Sequence, residues 1–426
     1  MRSHETFSGE RAARMKNVLV EGVSHSTFRQ QLGLVLWMIQ GYGLGLVTFL
    51  AFFPRLHHVQ EYLFFFLLVG AVAAVGVDRQ ALWVRSPIDV ALFAYVGWVL
   101  LTIPFATDPA YSFSEWRKLG AQVLVFFWAF RLATGVDSEA VMRRVLAAVL
   151  LGTLVLSLYA LIDFVSQGGS WKGRGIRARA PYSDCNVLAT YMVLVIPIVL
   201  SLVFSAKERW FRTASGVAVC LAALAQLLTY TRAGWVASVS QQIIFWVYLG
   251  RRKILLWMGA AAVLSAIALG VLSYEGYQQG VTSTHSLLER VDVWEIGALE
   301  MVSHPLVGVG YGDATFLKLF AERPEAGPAP GLHSTFLMVA MGSGMPALML
   351  FLAVFATAIW KLISRSRGTS DFALRVFLVS VAIMIFGFGL RNVFDHMFVG
   401  NLAYLFWILT AVGLAKTMSD SSRMKE

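Results

Sequence analysis

Six arginines and one histidine offer the chemistry of this sequence. Arg174, Arg177, Arg179, Arg232, Arg290 and Arg391 stand between or at the ends of long apolar segments, and His333 opens one such segment directly after a Pro- and Gly-rich stretch. A guanidinium is always charged and presents a planar fork to phosphate or carboxylate oxygens, so a set of arginines with almost no lysine points to an anionic ligand. Imidazole changes charge near neutral pH and can take a proton from an attacking hydroxyl. The combination suits displacement of a phosphorylated leaving group, with a base for the nucleophile and cations for the charge left behind. Arg177 and Arg179, two apart in a Gly-rich extended run, can both reach one anionic group. Arg391 and Asp395 lie four apart, a spacing that serves an ion pair as readily as a site.

The elements that position these residues are membrane spans. Of 426 residues 58% are hydrophobic and 14% charged, against about 25% charged in soluble domains. Windows long enough to cross about 30 Å of hydrocarbon predict twelve helices, at 32–53, 62–77, 88–105, 119–135, 145–165, 187–205, 214–229, 234–249, 254–274, 334–360, 372–390 and 397–415. The fold class is an all-α polytopic membrane protein. Residues 1–31 form an N-terminal arm, 32–274 the first nine spans, 275–333 one large outer loop, 334–415 the last three spans, and 416–426 a tail. The first span follows a basic arm and is too long for a signal-peptide core, so it reads as a retained anchor. Connections on the side of the two termini hold nearly twice as many of the 35 Lys and Arg as the opposite side, which makes both termini cytoplasmic. Half of the outward positive charge is the six arginines. The net charge of +10 is spread over short connections and is topological, with no nucleic-acid footprint.

Two outer connections exceed simple turns. Residues 166–186 form a Gly-rich basic loop broken by Pro181, in which Asp184 reads as the N-cap of the sixth span. Residues 275–333 need structure of their own. Ser286 and Glu289 make a capping box, and Leu287, Val291, Trp294, Ala298 and Met301 recur at helical spacing, predicting an amphipathic helix over 287–303 that Pro305 ends. Gly308, Gly310 and Gly312 imitate a dinucleotide loop but lack the strand such a loop follows, so tight turning is the better reading. A short helix is expected over 313–323, and the prolines after it deliver His333 to the mouth of a span broken by Gly342, Gly344 and Pro346, as happens where helices line a cavity. Cys185 and Cys220 have no partner at metal or redox spacing and read as packing residues.

The order of the Arg-containing loop leading into YSDCNVLATYMVLVIP, then TYTRAGW, ERVDVWEIGALEMVSHPLVGVGYGDATF and HSTFLMVAMGSG resembles the bacterial O-antigen ligase and polymerase superfamily. Arg232 falls at its Ser-Arg-Gly position, although the triplet here is Thr231, Arg232, Ala233. Arg290 and Trp294 match its Arg-x-x-x-Trp element, residues 304–310 its HPLxGxG element, and His333 with Gly344 its His-x10-Gly element. The resemblance implies a GT-C-like glycosyltransferase. Its donor would be a glycan on undecaprenyl pyrophosphate, and its acceptor lipid A-core in a ligase or another lipid-linked repeat in a polymerase. The reaction would occur on the periplasmic face of the inner membrane. In that setting His333 is the expected base, and Arg177, Arg179, Arg232 and Arg290 the expected pyrophosphate ligands, with Arg391, Asp395, Arg174, Trp294 and Asp184 as further candidates. The outer side carries scattered acids and no Asp-x-Asp, so the expected site is metal-independent, without cofactor, and inverting. Protein O-oligosaccharyltransfer is a third acceptor class. An anion transporter would place its charges near mid-membrane and show paired repeats, whereas these gather at one mouth.

Overall fold

The computed structural model describes residues 25–78, 81–135, 137–169, 176–251, 253–254, 285–320 and 331–418. These form α1 (His25–Leu50), α2 (His57–Asp78), α3 (Asp89–Thr102), α4 (Pro109–Thr134), α5 (Ser138–Ser166), α6 (Cys185–Ser205), α7 (Arg209–Leu228), α8 (Arg232–Tyr248), α9 (His285–Ser303), α10 (Asp313–Phe320), α11 (Thr335–Arg367), α12 (Phe372–Val393) and α13 (Gly400–Ala415), with no strand among the described residues. Among the described residues seven helical segments are long and apolar enough to cross a bilayer, and two shorter apolar ones, Asp89–Phe105 and Gly400–Ala415, accompany them. Phe66, Val90, Leu101 and Val165 are each about two-thirds exposed or more. A water-soluble monomer does not tolerate an apolar skin of that extent, and the chain is an integral membrane protein. The ninth expected span, 254–274, lies almost wholly outside the described residues, as do Arg174 and the side chains of Ser286 and Glu289.

Local chemistry sets several helix starts. Asp184 accepts from the Asn186 amide and begins α6, as its position suggested. Asp108 accepts from the Tyr111 amide with Pro109 in the first turn of α4, and Asp371 and Ser334 cap α12 and α11 in the same way. α5 and α12 extend past their hydropathy windows because partly polar turns add to the apolar segment, whereas α13 starts three residues later than its window. One consequence is a correction: Arg391 belongs to the last turn of α12 and is fully buried, not part of a connection.

Alternate connections gather at opposite ends. At one end Tyr182 donates to the Phe52 carbonyl, the Thr107 amide to Val309, the Ala178 amide to Leu228, and Arg391 to Asn186. At the other, Arg131 donates to the Ala81 carbonyl, Tyr248 to Ser366, and Lys416 to Glu139. Antiparallel spans joined in sequence produce this sorting. α6 and α12 are buried along most of their length and pack most extensively on each other, forming the centre against which the mouth is built.

α11 is broken where expected. Ser343 and Gly344 leave helical geometry, and Gly344 has φ +82°. Pro346 has no N–H for the Gly342 carbonyl, and the Gly310 amide donates to it instead at 2.9 Å. Val309 donates to Met341 at 2.9 Å, Met345 to Pro305 at 2.8 Å, and Trp98 Nε1 to Ser343 at 3.0 Å. The 304–310 segment therefore adds to α11 through backbone bonds. Gly308 and Gly310 have positive φ as the turning reading required, and a Cβ at Gly308 would strike the backbone of residues 341–343, one at Gly344 the Leu306 carbonyl. Gly344→Ala should cost about 2–3 kcal/mol through strain and clash, seen as a lower unfolding midpoint in detergent.

The amphipathic helix is present as α9, two residues longer than its pattern, but its buried face differs from the expected stripe. Val293 is buried and Gly297 lies against Leu332 and Leu337, whereas Val291 is 46% exposed. Cys185 is buried; Cys220 is exposed on α7 and is not a packing residue.

Candidate functional site

The end at which Tyr182 meets Phe52 and Arg391 meets Asn186 also carries the histidine. Trp294, one turn after Arg290 on α9, donates from Nε1 to the Leu332 carbonyl at 2.9 Å and so holds the residue before His333. His333 itself has φ +47°, a left-handed conformation that a non-glycine residue keeps only where its surroundings enforce it. Its Nδ1 lies 3.2 Å from Asp395 Oδ1. The other carboxylate oxygen accepts from Arg391 Nη2 at 3.1 Å, and the same Nη2 reaches Asn186 Oδ1 at 3.2 Å. Residues from α6, the segment before α11, α12 and the loop after it thus form one chain of polar contacts.

This chain has a definite charge. Burial opposes ionisation of Asp395, but the hydrogen bond from His333 and the charges of Arg391, His333 and Arg290 outweigh it and hold its pKa at about 2. The carboxylate is therefore ionised at any working pH. A carboxylate on Nδ1 keeps a proton there and leaves the Nε2 lone pair outward, the tautomer a base needs. Arg391 also feels the charges of Arg290 and Asp184, which brings α9 and the start of α6 into the same neighbourhood.

Arg177 is placed differently from the expectation of a simple ligand. Its Nε donates to the Thr229 carbonyl at 2.7 Å and its Nη2 to Thr231 Oγ1 at 3.1 Å. It thus ties down the turn between α7 and α8, where Tyr230 has φ +51°, and that turn presents Arg232 as the exposed first residue of α8. Arg177 and Arg179 also line a cavity of about 300 Å³ with Gln167, Ile176, Ser183, Asp184 and Cys185, a volume at the lower end of small-ligand sites. Arg179 is exposed, Arg290 half-buried. Among the described residues no three His, Cys, Asp or Glu side chains are grouped to hold a metal ion.

The structure brings His333, Arg290 and Trp294 to one mouth. Sequence reasoning missed Asn186 as the partner of Arg391, and it missed Asn392 and His396, which surround Thr335. Those contacts join residues 57 to 205 positions apart, beyond any spacing rule.

A buried helical body, an apolar outer skin and a histidine–carboxylate–arginine chain at one mouth define a polytopic membrane protein with a polar site at one end of its bundle. Residues 217–352 match the family model described as O-antigen ligase. No curated protein matches the sequence. The matched segment contains Arg232, Arg290, Trp294, His333 and Gly344; Arg177, Asp184, Arg391 and Asp395 lie outside it and join the site only through the fold.

Proposed function

We propose that this protein is an O-antigen ligase, a membrane glycosyltransferase that moves polysaccharide from undecaprenyl pyrophosphate to lipid A-core on the periplasmic face of the inner membrane. The observation that carries the reading is the His333 ring held on Asp395, itself paired with Arg391, beside arginines that reach the same mouth. His333 Nε2 takes the proton of the acceptor hydroxyl as that oxygen attacks the anomeric carbon. The bond from that carbon to the phosphate oxygen breaks, undecaprenyl pyrophosphate leaves, and the configuration inverts. Arg179, Arg232 and Arg290 hold the leaving diphosphate. Arg177 contributes chiefly by fixing the turn before Arg232, and Arg391, fully buried, acts through Asp395. Arginine charge stands where a divalent ion would otherwise serve, so the reaction is read as metal-independent. The excess of basic residues in the connections of the opposite end supports a cytoplasmic side for both termini.

The lipopolysaccharide of a deletion strain tests this. Core without O-antigen, with lipid-linked polymer accumulating, is the expected result. Core capped by a single repeat would mark a polymerase instead, and an unaltered ladder would contradict both.

A further inference from the structure

The end of the bundle opposite the mouth carries an arginine that the protein leaves without an acceptor. Arg144 stands in the second turn of α5. α1 crosses α5 closely there because Gly41 and Gly45, one turn apart, present no side chain. A Cβ at Gly45 would lie 3.4 Å from Arg144 Cβ, and one at Gly41 would lie 2.6 Å from Arg144 Nη1. The guanidinium is held over the ring of Tyr42, 3.9 Å from its centroid.

A neighbouring arginine shows what is missing. Arg131, in the last turn of α4, lies over Trp37 of the same helix α1, but its Nε donates to the Ala81 carbonyl at 2.8 Å. Arg144 has no such outlet. Its Nη1 is enclosed without a hydrogen-bond partner, and among the described residues no acceptor meets Nε or Nη2, which are not enclosed. A guanidinium fixed in plane by an aromatic ring, with two parallel N–H donors free, is prepared for a bidentate anion.

The surroundings say where that anion comes from. Val35, Ile39, Tyr42 and Leu46 recur at helical spacing on α1 and are all exposed, so Tyr42 lies within a face turned to acyl chains. α5 has 29 residues and is about 43 Å long, the thickness of a bilayer with its headgroups. Arg144 follows Ser138, the first residue of α5, by six positions, which places its Cα about 9 Å from the end. Helical side chains lean toward the N-terminus, and the guanidinium at Gly41 is one turn nearer that end than its own Cβ at Gly45. It therefore reaches the boundary of the headgroup layer, where lipid phosphates lie. Arg143, exposed beside it, adds a second positive charge.

We propose that the groove between α1 and α5 binds the phosphodiester of one anionic phospholipid from the leaflet at this end, with Nε and Nη2 of Arg144 on its oxygens and the Tyr42 ring behind the guanidinium. The bound lipid neutralises the unpaired charge and fastens α1 to α5. The site lies at the far end from the mouth and does not rest on the transferase reading.

Full-length purified protein in detergent tests this whatever its enzymatic state. In native mass spectrometry the wild type should hold one more phosphatidylglycerol than phosphatidylcholine, about tenfold more tightly, as one charge-assisted contact at a membrane surface gives. Arg144→Gln should lose that molecule. Tyr42→Phe keeps the ring and should keep the lipid, whereas Tyr42→Leu, which frees the guanidinium, should lose most of the preference. Phosphatidylglycerol should also raise the unfolding midpoint of the wild type more than that of Arg144→Gln. Should Arg144→Gln not fold, Tyr42→Leu against Tyr42→Phe makes the same comparison. A wild type without the preference, or variants Arg144→Gln and Tyr42→Leu that retain it in full, would overturn the proposal. A midpoint raised as far by millimolar inorganic phosphate alone would mark a site for a free anion and overturn the assignment to lipid.

Discussion

His333→Ala protein should bind the lipid-linked donor almost normally and turn it over about a thousandfold more slowly. A positioned base contributes about two to four orders of magnitude, and none of the polar contacts that build the diphosphate side of the mouth passes through the imidazole. The position has φ +47°, so a backbone effect must be separated from the chemistry. His333→Asn provides the control, since asparagine tolerates the left-handed region and cannot act as the base. Both variants should give the same loss of kcat with an unfolding midpoint near that of the wild type. Turnover within a fewfold of wild type in either would remove His333 from the reaction.

Removing Asp395 should damage both stability and turnover. Its carboxylate is the acidic partner of Arg391, whose guanidinium is fully buried and whose Nε and Nη1 have no acceptor among the described residues. Asp395→Ala leaves that charge uncompensated, a change that costs about 3–5 kcal/mol, and a large fall in the unfolding midpoint in detergent is the expected reading. Replacing both partners separates the two roles. Asp395→Ala with Arg391→Met removes the stranded charge and should recover much of the stability, while turnover stays low because nothing orients the His333 ring. Recovery of activity in the double variant would show that the ion pair is only structural. The contribution of Asp395 depends on pH in a set direction. Its folded-state pKa of about 2 lies below the ordinary carboxylate value of about 4, so the stabilisation is complete above about pH 4 and is lost as the pH falls through about 2.

Much of the framework was readable in the residues because one-dimensional patterns encode it. Apolar segments marked the helices, Asp184 marked the start of α6, and Gly344 with Pro346 marked the break in α11. His333 stood out because a rigid Pro/Gly stretch aimed it at that break. The role of the Gly308 and Gly310 turns was legible only in part. Positive φ was expected, but their close approach to α11 depends on a partner backbone more than thirty residues away. Arg391 was misplaced because hydropathy ends a span at the first charge, whereas Asp395 and Asn186 supply enough polar contact for α12 to continue past it. The exposed side of α9 was misread at Val291 because the stripe alone does not say which of its edges meets the body. The pairing of His333 with Asp395 has no sequence signal, since 62 positions and a whole helix pair separate them.

The central claim is that a histidine base and an arginine cradle transfer a glycan from a lipid diphosphate without a metal ion. It is tested most directly by purified protein in lipid, given undecaprenyl pyrophosphate-linked glycan and lipid A-core in excess EDTA. The account predicts ligated product at the same rate with or without chelator, with transfer lost in His333→Ala and both donor binding and transfer weakened in Arg290→Ala. Transfer that stops in EDTA and returns with Mg²⁺, or that persists in His333→Ala, would contradict it.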